Sequence, residues 1–261
     1  MKIRDLEAYF QTIYPAQRAC AWDNDGLLIC PDREQEVTRV LTCLDVTFSA
    51  IEKAMAEECQ LIVSHHPLIF SPVKSINEDT LVGQKIILLM QAGISLISLH
   101  TRFDGAVDGL NDRLGEKIGV VPPYRREPLL EEEPFIGAIG SLNEKISPED
   151  LAERVSSALG TPVRLYSAGL DIEEVGFCCG SGKDLVIPCL EKGADAFVGG
   201  DISYHIAQEA VERGMTVIDC GHHASEKDAA YYFRDALCAL STDLTVIPYE
   251  EALGGEIVDF S

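Results

Sequence analysis

Six histidines stand in the sequence: His65, His66, His100, His205, His222 and His223. Each lies at the end of an apolar run or in the residues leaving one. Two of them are adjacent in LIVSHHPLIF. Neighbouring side chains on an extended strand point to opposite faces, so paired imidazoles at a strand's end suit a turn at Pro67 that brings both rings to one cavity. Carboxylates recur at one distance from two other histidines. Asp104 follows His100 by four positions in LHTRFDGAVD, and Glu226 follows His222 by four in DCGHHASEKD. A helix starting near Ala224 lets His222 and Glu226 approach one side of its first turn. Imidazole with carboxylate suits zinc, manganese, iron or nickel more than calcium. Adjacent histidines suit two ions side by side, one each. His222 then supplies a third imidazole, and Asp104 and Glu226 complete the shells, since a carboxylate can bridge two ions. Such a donor set leaves positions open for water, as hydrolytic centres require.

Taken singly, a histidine is more often a packed residue with a satisfied hydrogen bond than a ligand. A carboxylate in the first turn of a helix is favoured by the helix dipole alone. The convergence of HHP, H-x-x-x-D and H-x-x-x-E on strand ends makes the metal reading the stronger one. His223 has the poorer spacing to Glu226, and His205 in GGDISYH either lines the cavity or packs beside it.

The elements that must position these groups alternate. RVLTCLDVT, LIVSHHP and ISLISLHT read as strands; FSAIEKAMAEEC, DTLVGQKIILLMQAG and GLNDRLGEKIG read as the helices that follow them. Strand–helix alternation points to βαβ units in an α/β fold with mainly parallel sheets, where ligands bind beyond the carboxyl ends of the strands. Across 127–134 the chain is charged, proline-bearing and aperiodic, a candidate linker. Beyond it, PFIGAIGSL, PVRLYSAG, EEVGFCCGSG, DAFVGGDIS, MTVIDCGHH and LTVIPY read as strands. SPEDLAERVSSALG, DLVIPCLEKG, YHIAQEAVERG and SEKDAAYYFRDALCALS read as helices, the first capped by Ser147 with Pro148 in its first turn.

The net charge of −22 argues against a nucleic-acid partner, because such a surface repels phosphate backbones. Two divalent ions outweigh two carboxylates, so the centre would stay locally positive and draw in a small anionic substrate. No apolar run is long enough to span a bilayer, and MKIRDLEAYFQTIYP lacks the apolar core of a secretory signal. The expectation is a soluble cytoplasmic protein without a membrane association. The nine cysteines include no C-x-x-C pair and read as free thiols, most of them small buried hydrophobes. GFCCGSGKD misses the spacing of a phosphate-binding P-loop and reads instead as a tight glycine turn after a strand.

WDNDGLLI, LDVT, SHHPLIF, LHTRFD, GGDISYH and GHHASE, in this order, resemble the NIF-three-like dinuclear-metal-centre family, whose members carry the name GTP cyclohydrolase I type 2 homologue. The resemblance implies two α/β domains with mainly parallel or mixed sheets flanked by helices, and a toroidal homohexamer with its dinuclear sites facing the interior. It implies two divalent ions per subunit, held by His65, His66, Asp104, His222 and Glu226, with Glu226 bridging. His100 opens its motif and is implied as a second-shell or acid/base group, the candidate catalytic residue. This chain departs from the family pattern at Arg102-Phe103, which places a cation beside the expected metals.

For Asp104 and Glu226 to meet, the first domain is expected to be discontinuous, 1–128 plus 217–261, with 129–216 folding as the second. The function this implies is metal-dependent hydrolysis of a nucleotide or phosphorylated small molecule. Two divalent ions would lower the pKa of a bound water and polarise a phosphoryl or ring carbon, and His100 is the candidate proton shuttle, histidine's unperturbed pKa lying near neutrality. The alternative is a non-enzymatic metal-handling or regulatory protein.

Overall fold

LIVS and SLIS are buried at every position, as interior strands of a sheet covered by helices on both faces are. The computed structural model describes residues 1–125, 129–130 and 136–250. The chain runs α1 (Ile3–Ile13), β1 (Gly26–Ile29), β2 (Arg39–Cys43), α2 (Phe48–Ala56), β3 (Leu61–Ser64), α3 (Leu81–Ala92) and β4 (Ser95–Ser98). It continues through α4 (Thr101–Asp104), α5 (Leu110–Lys117), β5 (Val120–Arg125), β6 (Ala138–Ile146), α6 (Pro148–Leu159), β7 (Arg164–Tyr166) and β8 (Ile172–Ser181). Then follow α7 (Val186–Glu191), β9 (Ala196–Gly200), α8 (Tyr204–Glu212), β10 (Thr216–Asp219), α9 (His222–Glu226), α10 (Ala229–Leu240) and β11 (Thr245–Tyr249). The fold is mixed α/β, with two sheets flanked by helices.

These elements form two compact units. The first comprises Met1–Thr12, Asn24–His100 and the described residues from Lys227 on. Its sheet has the order β1-β4-β3-β2-β11, parallel throughout except for β1, which runs antiparallel along β4. Alternate strand residues serve opposite faces. Leu41, Ile62 and Leu96 join Ile51 of α2 and Leu89 of α3 in one buried cluster. Thr42, the neighbour of Leu41, turns the other way and donates its hydroxyl to the Ala230 carbonyl of α10 at 2.8 Å.

The second unit comprises Ile13–Asp23 and the described part of Thr101–Glu226. Its sheet has the order β5-β6-β8-β9-β10-β7, with β8, β9 and β10 parallel and the rest antiparallel. Phe197 is fully buried among residues of α7 and α8. α6 begins as its residues foretell: the Ser147 hydroxyl accepts the Asp150 N–H, and Pro148 sits in the first turn.

The units divide at His100 and Glu226, not near 128 and 217. β10 was expected to lie with the first domain, but its ladders bind it to β9 and β7 of the second sheet. Residues 101–125 belong with that sheet as well, through β5. Most of the 127–134 linker, and the start of the PFIGAIGSL strand, lie outside the described residues. Among the described residues no helix is long and apolar enough to cross a membrane.

Candidate metal centre

The first unit builds a histidine cluster where β3 and β4 end. His65 and His66 continue the ladder past the last residue of β3, their N–H groups donating to the Cys43 and Leu44 carbonyls. The chain then turns: the Ser64 hydroxyl donates to the His66 carbonyl at 2.9 Å, a local bond that diverts the backbone from the strand. The two rings therefore come to lie 5.0 Å apart, centroid to centroid, inclined at 45°. His100, just past β4, has its ring 5.3 Å from His65 and 5.6 Å from His66. Ligand nitrogens of the three lie within 4.8 Å of one another, close enough for one ion to engage them.

Hydrogen bonds decide which nitrogen each ring presents. His65 is fully buried, and its Nδ1 lies 2.9 Å from the Leu99 carbonyl. A carbonyl only accepts, so Nδ1 carries the proton and Nε2 is the donor atom available to a metal. His66 has its Nδ1 2.8 Å from Asp45 Oδ1, with the same consequence.

The second unit carries the carboxylates. α4 is a single turn held at its start by Asp23, whose carboxylate accepts both the Thr101 N–H and the Thr101 hydroxyl. Asp104 ends that turn, buried, and its backbone carbonyl accepts from Asn111 Nδ2 at 3.2 Å. Asn111 in turn accepts the Cys179 N–H at 2.8 Å, which ties the turn to β8. α9 starts at His222, two residues before the expected position, and places His222 Nε2 2.9 Å from Glu226 Oε2. His222 Nδ1 meets Asp201 Oδ2 at 2.9 Å. Glu226 is almost wholly buried.

Gly180 explains why the glycine-rich stretch is not a phosphate loop. It is a left-handed residue inside β8, which runs on to Ser181, and the expected tight turn follows directly, the Gly182 carbonyl accepting the Leu185 N–H at 3.0 Å. Its N–H donates to the Ser225 hydroxyl at 2.9 Å. A Cβ at this position would stand 2.2 Å from Glu226 Oε1, so only glycine leaves room for the carboxylate.

Other candidates fall elsewhere. Arg102 is buried, and its Nη1 lies 3.5 Å from the Tyr14 carbonyl. His205 is exposed on α8 beside the Tyr204 ring, and His223 is exposed on α9. Asp45, Asp201 and Asp23 carried no recognisable spacing to their partners in sequence. Their neighbours in LDVT, GGDIS and WDNDG gave the only signal, as parts of the family resemblance.

Among the described residues, the groups of side chains close enough to hold a metal ion contain no cysteine. Burial pushes the Cys178 and Cys179 thiols well above the ordinary range, with Asp104 the next contributor for both. Burial likewise raises Cys189 and Cys220 to about 12. Alkylation of the native protein near neutral pH is expected to modify exposed Cys238 first, and these four only after unfolding, as peptide mass spectrometry will read. The thiol is the form stabilised by folding. That contribution is complete below the ordinary cysteine pKa of 9.0 and is lost as the pH rises from there towards about 12.

Imidazoles at the strand ends of an α/β fold, with ligand nitrogens within 4.8 Å of one another, define a class of protein that could hold a metal ion. The chain belongs to the Duf34/NIF3 (NGG1p interacting factor 3) family, whose model matches residues 1–251. It is 33% identical over 233 residues to the GTP cyclohydrolase 1 type 2 homolog of Clostridium perfringens, covering 87% of each chain. It is 32% identical over 253 residues to the Campylobacter jejuni protein of the same name, covering 96% of this chain and 95% of the other. Among solved structures, a Staphylococcus aureus hypothetical protein superposes with a TM-score of 0.84 at 28% identity, over 99% of both chains.

Proposed function

We propose that this chain is a dinuclear divalent-metal protein that hydrolyses a nucleotide or a phosphorylated small molecule. His65, His66, Asp104, His222 and Glu226 are its ligands, and it works as a homohexamer. The observation that carries the reading is the shared state of His65, His66 and His222. Each has Nδ1 against a carbonyl or carboxylate oxygen, the arrangement that readies Nε2 for a metal. Position in the chain adds support. His100 and Asp104 flank one change of unit, at His100–Thr101, and His222 and Glu226 precede another, at Glu226–Lys227.

Divalent ions held there would supply Lewis acidity at a phosphoryl oxygen or ring carbon and lower the pKa of a water. The protein's own groups do the rest. Asp104 and Glu226 are held in place by Asn111 and by the room Gly180 leaves. His100, whose ring lies against those of His65 and His66, is the group we assign to take and return a proton. The names of the Clostridium and Campylobacter relatives make GTP the first substrate to try.

Protein purified without added metal or chelator is expected to hold about two divalent ions per chain by mass spectrometry. With added Mn or Zn it is expected to turn over GTP or a member of a phosphoester panel. Failure to bind metal after reconstitution overturns the reading. Tight metal without turnover across the panel overturns its hydrolytic half.

A further inference from the structure

One device occurs twice in the chain, once in each unit. β2 and β3 are parallel neighbours joined through α2, and β9 and β10 are parallel neighbours joined through α8. In each pair an aspartate follows the first strand and a histidine follows the second. Both aspartate–histidine pairs are 21 residues apart in sequence, and their contacts match: Asp45 Oδ1 to His66 Nδ1 at 2.8 Å, and Asp201 Oδ2 to His222 Nδ1 at 2.9 Å. The register accounts for the match. Cys43 pairs with Ser64 and Gly199 with Asp219, so in each case both loops leave the same end of adjacent strands. Strands under 5 Å apart then bring the two side chains into bonding distance.

We propose that Asp45 and Asp201 are equivalent positioning residues, each fixing its histidine with the proton on Nδ1 and Nε2 turned to a divalent ion. The inference rests on the metal-binding reading above. A carboxylate acceptor selects the tautomer, fixes the ring's orientation and makes Nε2 a stronger donor. His65 lacks this device, because its Nδ1 bonds the neutral Leu99 carbonyl. Stability is a poor account of the two aspartates. Their side chains are 48% and 54% exposed, and exposed pairs of this kind add little to folding. Asp201 also holds a left-handed backbone at φ 56°, a conformation uncommon outside glycine that marks a constrained position.

Asn tolerates the left-handed region as Asp does, so Asp45→Asn and Asp201→Asn keep the backbone and remove the charge. Zn²⁺ affinity is read by chelator competition for the wild type, both variants and the double variant. Each single change is expected to weaken binding roughly 10–100-fold. The chelator-treated variants are expected to melt with the wild type. In the zinc-loaded protein the Nδ1–H resonance of His66 or His222 is expected to move upfield, by NMR, only in the variant that lost its aspartate. Variants that bind Zn²⁺ as tightly as a wild type that does bind it, with unmoved ring N–H resonances, overturn this inference alone. A wild type that takes up no Zn²⁺ overturns the metal reading and this inference with it.

Discussion

Glu226→Ala is expected to lose at least half of the bound metal and to hold the remainder more than about 100-fold more weakly, beyond the cost of losing an outer partner. Glu226 is almost wholly buried, and its Oε2 lies 2.9 Å from His222 Nε2. On the proposed reading, removing it takes away both a ligand and a negative charge that favours a cation there. Truncating the carboxylate also removes the oxygen that lies 2.9 Å from His222 Nε2. Glu226→Gln separates the two effects, since it keeps the volume and some of the hydrogen bonding. It is expected to fold like the wild type by circular dichroism and still to lose metal by mass spectrometry. An alanine variant with the wild-type metal content removes Glu226 from the ligand set.

Gly180→Ala is expected to damage stability and metal binding together. The backbone there has φ 63°, where a side chain costs about 1–2 kcal/mol. The new Cβ would also lie 2.2 Å from Glu226 Oε1 and 3.3 Å from His222 Nε2. The carboxylate is buried and has little room to yield, so the sum is about 2–4 kcal/mol. For a chain of this size that lowers the melting temperature by roughly 5–10 °C. Gly169→Ala is the control. It has φ 73° and nothing within 4 Å of its added Cβ, so it bears the backbone cost alone. It is expected to melt slightly early and to bind metal normally. If both variants bind metal equally well, Gly180 is not a spacer for Glu226.

The βα alternation was legible because buried strands and amphipathic helices carry different periods, and most strand candidates, from RVLTC to TVIPY, form strands. The strands that were missed have a common cause. β1 is a four-residue antiparallel edge, and β5, VVPPYR, contains two prolines and lies at the edge of its sheet, where proline is tolerated. The apolar run of β1, Leu27–Cys30, is short and closed in by Gly26 and Pro31, and that of β5 is broken by Pro122 and Pro123. β10 reads plainly as a strand, but its place in the second sheet depends on pairing with β9 and β7, which no local pattern encodes.

The candidate donors show the same division. Histidine and carboxylate at four-residue spacing, and two histidines at a strand's end, are local facts, and the sequence alone settled which residues were candidates and in what chemical class. Which nitrogen of each ring faces outward was decided only by tertiary structure. That choice belongs to Asp45, Asp201 and the Leu99 carbonyl, whose distance from their histidines along the chain follows no helical or strand period. Parallel strands hydrogen-bonded side by side set that proximity, and so did the bare backbone of Gly180 beneath Glu226. Hydrogen bonds act over about 3 Å in space and take no account of separation in sequence.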